Sequence, residues 1–203
     1  MLYFTMAVMG LLITPGPGVL SVAGVGAGFG ARRGTQFIAG LFVGTNLVGL
    51  LVASGLWGIV RNVPYLEEIL LGVSLAFLAY LAFRIAFAGS DISFSRATRM
   101  PGAVDGLLLQ FVNPKAYAVN TTLFGSMPLG FGDPVAEIAT KFLIINLIWV
   151  PVHFGWLWLG ITLKRLDLPP KTQRLVNYAM AVAMLGAVAL ALVAGSSGSG
   201  TAG

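Results

Sequence analysis

Six apolar runs separated by short polar connections divide the chain at roughly 2–27, 36–60, 66–88, 106–127, 136–162 and 175–194. Each has about the 20 residues that a helix needs to cross a bilayer. Their continuity excludes the alternating pattern of a membrane barrel strand. The pattern predicts an all-α integral membrane protein with six transmembrane helices. Two of the runs are interrupted mid-way, the first by Thr14-Pro15-Gly16-Pro17-Gly18 and the fourth by Asn113-Pro114-Lys115.

These interruptions carry the candidate chemistry. A proline donates no backbone hydrogen bond, and its ring clashes with the carbonyl four residues earlier. Pro15 and Pro17 would thus free the carbonyls of Leu11 and Ile13, and Pro114 that of Gln110. Gly16 and Gly18 let the chain leave helical geometry at little cost. Broken helices persist in a membrane where they face protein or a water-filled cavity, and matched breaks in two halves of a chain point to a transporter's binding site. Lys115 puts an ammonium near mid-membrane, where lysine normally faces a cavity or a partner. It could hold a substrate carboxylate beside a free helix N-terminus, or it could only neutralise local carbonyls.

The charge pattern sets an orientation. Basic residues gather in the first, third and fifth connections, as Arg32 and Arg33, then Arg84, Arg96 and Arg99, then Lys164, Arg165, Lys171 and Arg174. The even connections hold only Arg61, so the positive-inside rule predicts cytoplasmic odd connections and both termini outside. The N-terminus has no basic region before its long apolar stretch, which argues against a signal peptide. Arg84, Glu137 and Lys141 lie near span ends and are expected to snorkel toward the interface.

Composition agrees with this reading, since 57% of residues are hydrophobic and 9% charged, against about a quarter charged in a soluble domain. A net charge of +5 reports orientation here and does not point to nucleic acid. Cysteine is absent, which excludes disulfides and thiolate metal sites. The expectation is a single membrane transporter domain over residues 1–195, followed by a flexible tail of linker composition at 196–203. No cofactor or metal is expected. An intramembrane enzyme is disfavoured, because the spans offer no nucleophile with a paired base.

With three helices per half, any duplication must be inverted, with repeat 1 at about 1–89 and repeat 2 at about 105–195. Phe42-x-x-x-Asn46-Leu47 recurs as Phe142-x-x-x-Asn146-Leu147, and each Asn follows its half's central proline by 31 or 32 residues. Asn46 and Asn146 could surround the cavity or simply hydrogen-bond between helices. His153, the lone histidine, is either a packing residue or a group that couples transport to protons. Gly40-x-x-x-Gly44 permits close helix approach, either within the monomer or in a homodimer.

Thr14-Pro15-Gly16-Pro17-Gly18-x-Leu20, Gly30-x-Arg32-x-Gly34 and Asn113-Pro114-Lys115 together resemble the LysE/RhtB family of small six-helix amino-acid exporters, in order and spacing over nearly the whole chain. The resemblance implies ion-gradient-driven export of amino acids or related small metabolites across the bacterial inner membrane, with protons as the expected ion. The family commonly has Asn where this chain has Gly18. Some members have acidic residues near the positions of Asn46 and Asn146, so a neutral or zwitterionic substrate fits better than lysine or arginine. The expected substrate site comprises Thr14, Pro15, Gly16, Pro17, Gly18, Asn46, Asn113, Pro114, Lys115 and Asn146, with His153 as the coupling candidate. Membrane lipid is the other expected partner. The alternative is a non-transporting membrane subunit or partner for envelope lipid or glycolipid export, and a divalent-metal exporter is less favoured because the spans lack a suitable ligand cluster.

Overall fold

The computed structural model describes residues 1–56 and 100–165 continuously, with scattered positions within 63–83 and 171–182. The third and sixth expected spans, Arg61, Arg84 and the 196–203 tail lie outside the described stretches. The described residues form helices α1 (Leu2–Ile13), α2 (Pro17–Ala53), α3 (Ala103–Val112), α4 (Pro114–Gly125) and α5 (Pro134–Arg165). Pro17–Ala53, two helical segments that meet at Gly30, and residues Pro134–Leu163 of α5 have the length and apolar composition to cross a membrane, while α1 and α3 are shorter apolar helices.

The expected first span is thus two helices separated at Thr14 to Gly16, and the fourth is two helices separated at Asn113. The first two spans join within α2 at Gly30, whose φ of 80° is open chiefly to glycine. The chain doubles back there. Leu157 of α5 lies against both Gly26 and Gly34, since a Cβ on Gly26 would stand 2.9 Å from Leu157 Cδ1 and one on Gly34 3.2 Å from Leu157 Cγ. A straight helix would separate residues 26 and 34 by about 12 Å.

Small residues set the packing. Gly40 lies against the Ala103 backbone, Gly44 against Gln110, and Gly106 against the backbone of Phe37 and Leu41. The Gly40-x-x-x-Gly44 face is therefore used inside the chain, between α2 and α3. Gly160 lies against the Ala23 backbone, drawing α5 onto the first part of α2. One apolar cluster, which includes Val22, Phe37, Leu41, Leu109, Trp149 and Leu157, fills the space among α2, α3 and α5. A second joins Phe4 and Val8 of α1 to Leu123 of α4 and Ile145 of α5.

Lys141 departs from the snorkelling expectation. Its side chain is 3% exposed, pairs with Glu137 at 3.0 Å one turn earlier, and donates to the Phe124 carbonyl at 3.3 Å. Its ammonium also lies 5.9 Å from the Phe4 ring centroid and 6.0 Å from that of Phe124. A lysine near a helix end can turn inward when a carboxylate on its own helix face and a free helix-end carbonyl both meet it.

Candidate functional site

The two helix breaks meet. Lys115 Nζ donates to the Thr14 carbonyl oxygen at 2.6 Å, across 101 positions of sequence. Gly16 makes the approach feasible, since a Cβ there would lie 2.8 Å from Lys115 Cδ and 3.1 Å from its Nζ. The φ of Gly16, −162°, is ordinary extended backbone, so the requirement at this position is for space. Thr14 itself closes α1 by donating from both its backbone N–H and its hydroxyl to the Gly10 carbonyl.

The second break is built differently. Asn113 is the N-cap of α4, and its side-chain oxygen accepts from the Lys115 backbone N–H at 3.1 Å. Capping by Asn favours a helix start where Pro114 occupies the first position, whose missing N–H costs nothing there. The Gln110 carbonyl freed by Pro114 takes a long 3.4 Å bond from the Asn113 N–H, and the Tyr117 hydroxyl donates to the Phe111 carbonyl at 2.8 Å. Tyr117 thus ties α4 back to α3 across the break.

Between the breaks lies a cavity with about 60 Å³ of space for the centres of water-sized occupants. Of the expected residues, Thr14, Gly16, Gly18, Asn113, Lys115 and His153 line it. Pro15, Pro17 and Pro114 shape the backbone and do not line it. Asn46 and Asn146 are elsewhere, each donating its amide to the other's oxygen, at 3.2 and 2.9 Å, while Asn46 also donates to the Phe42 carbonyl at 2.8 Å.

Thr45, Gln110 and Asn120 line the cavity without having been singled out by side chain from the sequence. The Gln110 amide donates to the Thr45 hydroxyl, and the Asn120 amide to the Ala116 carbonyl at 2.8 Å. A usable signal was present, because each is a polar residue within an apolar run, and such residues in membrane helices usually face the bundle interior. The rest of the wall is apolar and includes Leu11, Leu12, Val19, Leu123, Ile145 and Trp149. Lys115 is the fixed cation of this lining, and no carboxylate belongs to it among the described residues. Nor do three or more His, Asp or Glu gather as a metal site among them.

Broken apolar helices around a partly polar cavity are what a membrane translocator's binding site requires. The chain belongs to the LysE type translocator family, which it matches over residues 9–196. It is an integral membrane transporter and not an enzyme. It is 27% identical to an uncharacterized membrane protein of Haemophilus influenzae over 157 residues, 68% of this chain and 75% of that protein. It is also 28% identical over 119 residues to the leucine efflux proteins of Salmonella choleraesuis and Salmonella typhimurium. That match covers 56% of this chain and 56% of each efflux protein's length. No solved structure gives a significant match.

Proposed function

We propose that the chain is a secondary exporter of amino acids with neutral, chiefly apolar side chains, working by alternating access and driven by the proton gradient. The observation that carries this reading is the Lys115 to Thr14 contact, which joins the two helix breaks at the wall of a cavity. Lys115 would take the substrate carboxylate, displacing its ammonium from the Thr14 carbonyl, and the leucine and valine lining would take the side chain. A lining without a carboxylate disfavours substrates with a second positive charge. The names of the leucine efflux relatives agree with this choice.

Two inverted repeats supply the moving parts in this reading, and internal contacts support them. A two-fold relation requires that if residue i of one half touches j of the other, then j of the first touches i of the second. Phe42 packs edge-on to Trp149 with ring centroids 5.6 Å apart. The mirrored contact occurs at Gly49, where a Cβ would lie 2.9 Å from the Phe142 ring. Asn46 and Asn146 meet each other, as residues on the pseudo-axis should. The six-span architecture, the N-out and C-out orientation and the bacterial inner membrane complete the proposal.

The test is release from proteoliposomes preloaded with a mixed amino-acid panel, comparing the native chain with Lys115→Ala, with and without a pH gradient. The native chain should release neutral amino acids faster under the gradient, and Lys115→Ala should be at background while folded by size-exclusion profile. Unimpaired release by Lys115→Ala would reject the site.

A further inference from the structure

We propose that His153 Nε2 is the acceptor for the substrate's ammonium group, and that ammonium and a proton compete for this one nitrogen. This rests on the exporter reading above and deepens it by assigning the second half of the substrate's head group. His153 is 5% exposed and belongs to the cavity wall. Its Nδ1 lies 2.9 Å from the Trp149 carbonyl oxygen. A carbonyl only accepts, so Nδ1 carries the hydrogen and Nε2 is the nitrogen that gains or loses the proton. The ring is also held flat on the Trp149 indole, with centroids 3.6 Å apart and planes 15° apart.

Nε2 faces the first break. A Cβ on Gly18 would lie 3.9 Å from it, so the missing side chain at this position leaves Nε2 open toward the cavity. Two residues earlier, Gly16 leaves the matching space for Lys115 Nζ. The start of α2 therefore has a cation at one glycine and a lone pair at the next, which is the complement of an α-amino acid's carboxylate and ammonium. Asn46 and Asn146 bond to each other away from this wall, which leaves the ammonium role to the cavity's own acceptors.

The charges around His153 make the competition sharp. Among the described lining residues, the first break contributes Thr14, α2 Thr45, α3 Gln110 and α4 Asn120, all without charge, and Lys115 of α4 is the other titratable group. Lys141, also on α5, is engaged with Glu137 and the Phe124 carbonyl. Neutral His153 accepts a hydrogen bond from the ammonium through Nε2. Protonated His153 presents an N–H and a positive charge to it and repels it. When the ammonium leaves, Nε2 takes a proton from the water to which the cavity is open. It returns that proton to water on the other face when the next ammonium arrives. One substrate out is thereby linked to one proton in.

Leucine and its 2-hydroxy analogue, 2-hydroxy-4-methylpentanoate, separate the two groups by calorimetric titration of the full chain in detergent. The hydroxyl can either donate or accept, so its fit to Nε2 does not depend on the proton. Leucine should lose affinity on acidification once free His153 becomes protonated, approaching about tenfold per pH unit where that form predominates, because one proton must then leave Nε2 for each ammonium bound. The hydroxy analogue should hold within about twofold over the same range, and leucine binding to His153→Gln should no longer move with pH. Parallel loss for both ligands, or a leucine pH dependence that survives in His153→Gln, overturns the assignment while leaving the exporter reading intact. Absence of leucine binding to the native chain at every pH overturns the apolar amino-acid site itself, and this inference with it.

Discussion

The two helix breaks face each other across one cavity, yet they are opened by different means. The first uses two prolines and two glycines, has no side-chain cap, and presents a backbone carbonyl at Thr14 and empty space at Gly16 and Gly18. The second uses one proline, is capped by the Asn113 side chain, and presents the Lys115 ammonium. One break supplies room and a lone pair, the other supplies charge. A chain that duplicated an interrupted helix could in this way make a site that is asymmetric toward its ligand.

Room at the first break should matter most after the lysine itself. Gly16→Ala would bring a methyl to 2.8 Å from Lys115 Cδ. That atom belongs to a flexible side chain, so the chain should fold and the ammonium should swing away from the Thr14 carbonyl. We expect gradient-driven release to fall by about tenfold or more, the cost of misplacing one charge-assisted bond of about 1.5–3 kcal/mol, with a melting temperature near native. Gly10→Ala is the control, because no atom lies within 4 Å of a Cβ there. Equal transport by the two variants would dissolve the distinction between the breaks.

Much of this arrangement was legible in the sequence, and the physical reasons are specific. Proline and glycine act on their own backbone, so the breaks at Thr14 to Gly18 and at Asn113 to Lys115 could be placed to within a residue or two. Partners across the bundle were not legible in the same way. Gly40 and Gly44 could have met another chain or α3, and only the backbone of Ala103 and the side chain of Gln110 decide it. Asn46 and Asn146 could have surrounded the cavity or bonded between helices, because polar groups in a membrane seek polar company wherever it lies, and they bond to each other. Lys141 was expected to reach the interface because sequence position gives depth and not the direction in which a side chain turns.

Capping should distinguish the breaks by stability. Asn113→Ala removes the acceptor for the Lys115 N–H and should cost about 1 kcal/mol, read as a lowered melting temperature. Asn113→Asp should keep most of it. Thr14→Val removes only a hydroxyl bond to a Gly10 carbonyl that the Thr14 N–H also uses, and should cost no more than about 0.5 kcal/mol. Equal losses at Asn113 and Thr14 would mean that the second break does not depend on its cap.

The smallest effect probes the Asn46–Asn146 pair, which lies on the pseudo-axis of the proposed repeats. Asn46→Leu strands both the amide and the oxygen of Asn146, for which no other hydrogen bond stands beside the mutual pair among the described residues. Asn146→Leu leaves the Asn46 amide its second acceptor, the Phe42 carbonyl. Positions equivalent in the proposed repeats should therefore give unequal losses, with Asn46→Leu the larger. The coupling in a double-mutant cycle should be about 0.6 kcal/mol, the average for such bonds in membranes, and no more than about 1.7 kcal/mol. A coupling near zero would make the pair a bystander. A larger loss from Asn146→Leu would mean that the Phe42 carbonyl does not hold Asn46 once its partner is gone, and that the halves are more alike in energy than in hydrogen bonding.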